Sequence, residues 1–289
     1  MALVRNSIET LIVDTTNFDV TADWGGLASV SDETSFISFL EGQGLMNVIV
    51  SDFTLTAGRL ICYLSCDGTA ISLSSIGVSD VNKVSGINGL EDLDLTGNQI
   101  TDFNPLIALP NTLTQLNLAG NQIVTFDPSI PLPSGLLRLY IGANPIVTFN
   151  PSIALPSSLE ELTIGDSFIE VFDPSIALPS SLKILEIAQC QIVDFNPSIP
   201  LPSGLEQLQL GGNQMVYFNP SIALPQSLVS LSLITNQMNI AGYAISETWA
   251  ILQPSFTSNC TINFTANINS VSGTNLETIL LTKNTTIIS

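Results

Sequence analysis

The chain of 289 residues contains no histidine, and only 6 lysines and arginines stand against 25 aspartates and glutamates. Without an imidazole there is no His-based triad, no histidine general base and no His-containing metal site, which removes many hydrolase mechanisms. The net charge of −19 opposes close approach to nucleic acid or to an anionic lipid surface. Charged residues of either sign make up only 11% of the chain while 45% is hydrophobic. The polar remainder is mostly Ser, Thr and Asn, which predicts an ordered protein with a weakly charged, hydroxyl-rich surface. No apolar run approaches the ~18 residues that span a bilayer. The opening MALVRNSIETLIVDTT lacks a basic segment followed by a continuous apolar stretch, so neither a membrane span nor a signal peptide is expected. Cysteines are few and scattered, at Cys62, Cys66, Cys190 and Cys260. On one strand Cys62 and Cys66 would lie ~13 Å apart, beyond disulfide reach, so free thiols are expected.

What the chain has in abundance is repetition. Leu90, Leu113, Leu136, Leu159, Leu182, Leu205 and Leu228 follow one another at an unbroken spacing of 23. Each unit opens as LxxLxL, as in LTQLNL at residues 113–118, and its period-two alternation predicts a short strand with one face buried. A polar residue follows two positions later, usually asparagine. Then come an apolar residue such as Ile100, Ile123 or Ile146, and a phenylalanine at Phe103, Phe126, Phe149, Phe172, Phe195 or Phe218. A proline two residues on and a second proline near the end of the unit remove amide donors and fix φ, so the returning segment is expected to be extended or 3₁₀ rather than α-helical. One unit cannot bury its Leu, Ile and Phe alone, whereas stacked units share a continuous core.

The pattern LxxLxLxxNxI followed by Phe resembles the leucine-rich-repeat family, over about residues 68–240. That resemblance implies a right-handed α/β-type superhelical solenoid, with a parallel strand ladder on one face and an extended or 3₁₀ proline-rich back. Residues 1–67 then form an amino-terminal cap and residues 241–289 a carboxy-terminal cap, each a small α+β unit that covers an open end. Within the first, SDETSFISFLEG at 31–42 reads as a short helix and MNVIVSDFTLTAGRLICYLS as two strands around Ala57-Gly58. GTAISLSSIGVSDV, with Ile71 and Leu73 in strand positions and Ile76 where Asn would stand, reads as a degenerate first turn. Within the second, GYAISETWAILQ reads as a helix with Ile245 and Trp249 on one face, TINFTAN as a further strand with its Asn, TNLETILLTKN as a short helix and TTIIS as a last strand. The NQI, FNPSI and LPSSL phrasing is similar to leucine-rich-repeat proteins of bacteria and their phages.

Asn98, Asn121, Asn144, Asn213 and Asn236 are predicted to form a buried ladder, because backbone amides and carbonyls that face inward at the turn out of the strand need partners and a carboxamide supplies both kinds. Ser167 and Cys190 interrupt that column, and Cys190 is read as a buried structural thiol. The sequons at Asn259, Asn263 and Asn284 are read as chance matches in an Asn- and Thr-rich chain. Asp127 and Asp173, on the Phe-x-Pro turns, lack clustered oxygen ligands and are read as solvated, so no metal and no cofactor is expected. Candidate chemistry is confined to the outward strand positions. Glu161 and Glu186, offset by two residues on adjoining strands, would lie ~8 Å apart, within the range used by inverting glycosidases.

The same outward positions change from unit to unit while the buried columns do not. Arg138, Tyr140, Glu161, Thr163, Glu186, Gln207 and Gln209 are therefore the candidate ligand-binding residues, with Arg and Tyr the residue types enriched at interface anchors. The small column Thr96, Ala119, Gly142, Gly165, Ala188, Gly211 and Ile234 is read as fitting the tight turn out of the strand. Substitution of Asn150 and Ser152 on the back is expected to do little to partner binding. The sequence thus predicts a non-enzymatic recognition or assembly protein that binds a protein or a surface glycan, as a phage virion component or an extracellular surface adhesin. A cytoplasmic interaction scaffold and a glycan-cleaving solenoid using Glu161 and Glu186 are the alternatives. Nucleic acid and membrane insertion are excluded as partners by charge and hydropathy.

Overall fold

A computed structural model describes residues 11–14, 33–42, 46–56, 59–67, 70–72, 90–103, 109–239, 241–242, 246, 250, 253–267 and 270–289. The chain divides into two compact units, Met1–Tyr140 and Ile141–Ser289.

In the first unit, β1 (Leu11–Asp14), α1 (Glu33–Gly42), β2 (Met46–Thr56) and β3 (Arg59–Asp67) precede the repeats. β3 is the centre of an antiparallel sheet of order β1-β3-β2. Cys62 and Cys66 both lie on the continuous strand β3, whose rise of about 3.3 Å per residue keeps their backbones apart as expected. The chain then turns parallel, through β4 (Ala70–Ser72), β5 (Asp92–Asp94), β6 (Gln115–Asn117) and β7 (Arg138–Tyr140), each in register with the next. Ile71 pairs with Leu93, which fixes the first turn at a spacing of 22. The positions read as Leu73 and Ile76 lie outside the described residues.

In the second unit, β8 (Glu161–Thr163), β9 (Ile184–Glu186), β10 (Gln207–Gln209), β11 (Ser230–Ser232), β12 (Cys260–Asn263) and β13 (Thr285–Ile288) form a parallel ladder, with α2 (Asn275–Leu281) between the last two. The side chains of Ile245 and Trp249 fall outside the described residues. α2 begins where the Thr274 hydroxyl accepts the Glu277 amide at 3.2 Å, and it buries Leu276 and Leu280. No helix among the described residues is long and apolar enough to cross a membrane.

The three-residue strands β5 to β10 bury only their central leucine, β11 also buries Ser232, and the flanking leucines and isoleucines complete an apolar interior. Beneath them runs a column of phenylalanines, each at most 2% exposed. Phe103 and Phe126 stack at 6.1 Å in the first unit, and Phe149, Phe172, Phe195 and Phe218 stack at 6.1 to 6.2 Å in the second. Such offset ring stacks add to the burial of each aromatic surface. The described back of the repeats is extended and bent, and no 3₁₀ turn forms there. Its second proline closes each unit: the carbonyls of Pro110, Pro133, Pro156, Pro179, Pro202 and Pro225 accept the amides of Leu113, Leu136, Leu159, Leu182, Leu205 and Leu228 at 3.0 to 3.2 Å. Proline has no amide to satisfy at this position, and its carbonyl starts the turn that returns the chain to the next strand.

Candidate functional site

The outward residues of both units sit on strand positions flanking a buried leucine, so their place follows from the period of two. In the first unit they form a hydrogen-bonded row. The Gln115 amide nitrogen donates to both carboxylate oxygens of Asp92 at 3.1 Å, and Arg138 Nη1 donates to Gln115 Oε1 at 3.3 Å. Arg138 is exposed and Tyr140 half-buried. The other outward row turns back on itself: Asp94 accepts from the Thr96 amide and hydroxyl, and Asn117 from the Ala119 amide. Those two side chains brace the exit from their own strands.

In the second unit Glu161, Thr163, Glu186, Gln207 and Gln209 are all half-buried. Thr163 stands opposite Glu186, and Glu161 opposite Ile184, so the two glutamates are diagonal neighbours, a relation worth about 7–8 Å between backbones. Burial pushes the Glu186 carboxyl above its usual range, with Asp166 and then Glu161 adding repulsion, while a hydrogen bond from Thr163 works the other way. This is an acid that holds its proton to higher pH than an ordinary glutamate. The apolar groove in this unit lies elsewhere, on the back, lined by Phe172, Pro174, Leu178, Pro197, Pro200 and Leu201. Among the described residues no group of three or more His, Cys, Asp or Glu side chains converges as a metal site would require.

At the exit from each strand the chain passes through a left-handed residue: Gly97, Gly120, Ala143, Asp166, Gln189, Gly212, Thr235 and Ala266 all have φ between 52° and 70°. The next residue points inward. Asn98, Asn121, Asn144, Asn213 and Asn236 are 2 to 6% exposed. Asn213 accepts the Ile192 amide of the preceding turn at 3.1 Å and donates to the carbonyls of Ile187 and Leu210 at 2.9 and 3.0 Å. Asn121 and Asn236 repeat this arrangement, and Asn98 and Asn144 donate to carbonyls of their own turns.

Two family models match the chain: leucine-rich repeats in two copies over residues 88–134, and the FNIP repeat over 149–190. With the 23-residue period and the parallel ladder in each unit, the matches decide the family. The chain is a leucine-rich-repeat protein. Comparison with curated proteins gives no match. Similar solved structures include YopM from Yersinia enterocolitica, at 19% identity and a TM-score of 0.27, with 69% of this chain and 56% of that one covered. Another is YopM, described as a leucine-rich effector protein, from Yersinia pestis, at 19% identity, a TM-score of 0.29 and coverages of 59% and 61%. This chain thus spans less than two thirds of either protein, and at these scores the fold rests on its own strand ladder.

The Asn expected at the end of TINFTAN forms a further rung: Asn267 accepts the Met238 amide and donates to the Leu233 and Phe264 carbonyls. Two features of this leucine-rich-repeat chain escaped the sequence reading. Strand β1 is one. The other is an Asx ladder on the back. Asn150 accepts the amide and hydroxyl of Ser175, Asp173 those of Ser198, and Asn196 the amide of Ser221, all at 2.7 to 2.8 Å. These bonds hold Asp173 below the usual carboxylate range. The phrase FNPSI carries the signal, because its Asn or Asp meets the Ser of the same phrase one turn later. Asn150 is therefore a structural residue of the back. The small column has a steric origin at two places, where a Cβ at Gly142 or Gly165 would stand 2.8 Å from the backbone oxygen of the next turn. Cys190 and Cys260 are buried free thiols. Burial pushes both up, Cys260 to about 12, so neither is a nucleophile at neutral pH.

Proposed function

We propose that this chain is a non-enzymatic recognition protein whose strand face binds a protein partner. One observation supports the reading above the others. The leading Leu columns and the Phe column hold their identity from turn to turn, while the outward positions run through Asp, Gln, Arg, Tyr, Glu, Thr and Ile at fixed register. A surface that varies on an invariant frame is what selection for a partner produces. The contact residues are Arg138 and Tyr140 in the first unit and Glu161, Thr163, Glu186, Gln207 and Gln209 in the second. Arg138→Ala with Tyr140→Ala, and separately Gln207→Ala with Gln209→Ala, should leave folding intact. Each pair should lower affinity for a partner captured by photo-crosslinking from the native source by about 2 kcal/mol where it holds an anchor. Retained affinity in both variants would remove the strand face as the contact.

The raised Glu186 carboxyl beside Glu161 gives the glycan-cleaving reading one specific support. Release of reducing ends from a polysaccharide by the native chain, lost in Glu161→Gln with Glu186→Gln, would replace recognition by hydrolysis. A virion or outer-surface setting belongs to the same proposal. It draws on the sparse charge and the hydroxyl-rich composition, and capsid and tail genes beside this one would favour it where a metabolic operon would sink it.

A further inference from the structure

The second unit also carries an apolar patch away from its strand face. Large apolar side chains at Val147, Phe168, Val171 and Val193 are 50 to 64% exposed. Single exposed valines are ordinary on any protein, so their arrangement is what counts. Val147 and Val193 occupy the same column, with Glu170 between them, and Val171 stands between Thr148 and Asp194 in the next column. The Phe168 amide donates to the Ile146 carbonyl, and the Gln191 amide to that of Ile169. These bonds stack the three turns directly on one another along the flank where the chain leaves the strands. At about 4.8 Å per turn the four side chains share one flank of three consecutive turns.

The middle turn departs from its neighbours here. Where other turns place Gln122, Gln191, Gln214 and Gln237, this one has Phe168. Where others place Thr125, Thr148 and Asp194, it has Val171. Exposing a phenylalanine where glutamine would serve the fold costs solubility and gains nothing for the stack. Beside the patch stand the exposed carboxylates of Asp166 and Asp194, and that of Glu170 sits within it, between Val147 and Val193. Residues 141–182 contain no lysine or arginine, and the next cation along the chain, Lys183, is engaged with Glu160 at 2.9 Å. The chain supplies no local positive charge to this flank.

We propose that this flank is a second docking surface, independent of the strand face, for a protein segment that presents an apolar or aromatic anchor between basic residues. The exposed apolar side chains accept the anchor, and the carboxylates within and beside them meet the flanking cations.

The test uses a fluorescent peptide, Lys-Arg-Leu-Phe-Leu-Arg-Lys, and a second in which Gln replaces its three apolar residues. Anisotropy is read against the full chain, against Phe168→Gln with Val171→Thr, and against Glu161→Gln with Glu186→Gln. The flank variant uses residues already present in the same columns of adjoining turns, and an unchanged melting temperature confirms that it folds. The apolar peptide is expected to bind at least tenfold more tightly than the Gln peptide, with the advantage lost in the flank variant and kept in the strand-face variant. Equal binding of both peptides would reduce the effect to charge and overturn the proposal, as would undiminished binding to the flank variant. Sedimentation velocity supplies the remaining outcome: a concentration-dependent dimer abolished by the flank variant would make the occupant a second copy of this chain and overturn the assignment to a cationic segment.

Discussion

Within the second unit, the turn of Asn213 and the turns of Ser167 and Cys190 have the same strands, the same stacked phenylalanines and the same proline turns, and the turn of Asn236 shares the strand, yet the Asn turns and the other two are joined to their neighbours differently. Each of those asparagines ties two turns together through an accepted amide and a donated bond, and adds a third bond within its own turn. Ser167 reaches only the carbonyls of Ile164 and Gly165, and Cys190 makes a weak contact of 3.5 Å to Ala188, so both donate only within their own turns. In place of the missing carboxamide, the Ile146 amide folds back to the Asn144 carbonyl at 2.8 Å. The difference teaches that the core columns, and not the polar ladder, define the repeat. The ladder is where the sequence has latitude, and the same stretch carries the exposed Phe168 and Val171.

The largest expected effect tests what the two regions share. Phe172→Ala and Phe218→Ala should each lower stability by about 4 kcal/mol, and the two midpoints in chemical denaturation should move alike. A clear inequality would show that the regions differ in packing as well as in polar bonding. Next comes the ladder itself. Asn213→Leu strands the buried Ile192 amide and Ile187 carbonyl, the Leu210 carbonyl keeping Asn236, and should cost about 3 kcal/mol, against about 1 kcal/mol for Ser167→Ala, which abandons the Ile164 carbonyl. Equal losses would erase the distinction between the two kinds of turn.

A gain should follow from repairing the weaker region. Cys190→Asn places a carboxamide where the Ile169 amide and the Ile164 and Ile187 carbonyls take the positions that surround Asn213, and should raise stability by about 1 kcal/mol. Strain on the neighbouring turns would appear instead as a loss. The smallest effect is electrostatic and confined to the outward face. Because the Glu186 carboxyl is raised in the folded chain, its ionisation opposes folding. The associated stability is present in full below the unfolded value and is lost as pH rises through the folded one. Glu186→Gln should therefore raise stability slightly at pH 7, by less than about 1 kcal/mol at a half-buried site screened by solvent, read as a small rise in melting temperature. The advantage over the native chain should vanish in a melting series taken down through the carboxylate range.

Much of this was legible in the sequence because period and register leave few choices. Leucines every 23 residues fix which side chains point in, so the partial exposure of Gln207 and the burial of Leu208 follow without coordinates. The role of Asn in the inward column follows from hydrogen-bond supply. The back ladder was missed because its partners, such as Asp173 and Ser198, are 25 residues apart rather than 23, and column-by-column reading hides a bond that runs diagonally. Strand β1 was missed because LIVD alone carries no alternation and finds its reason only in pairing with β3. The Phe168 patch was missed for a further reason: the eye follows what repeats, and this feature consists of departures from the repeat.

The proline turn has a consequence at the level of the gene. Since Pro179 closes onto Leu182 and Pro202 onto Leu205 by the same bond, excision of residues 182–204 would join Ser181 to Leu205 across an equivalent junction. Every leucine, phenylalanine and back serine downstream would meet a partner of its own kind. A deletion one residue shorter would throw all of them out of phase. Unequal recombination between such near-identical coding segments therefore has a frame of its own beyond the codon, 23 residues long. Within it the number of turns can drift between lineages while each remaining turn keeps its neighbours.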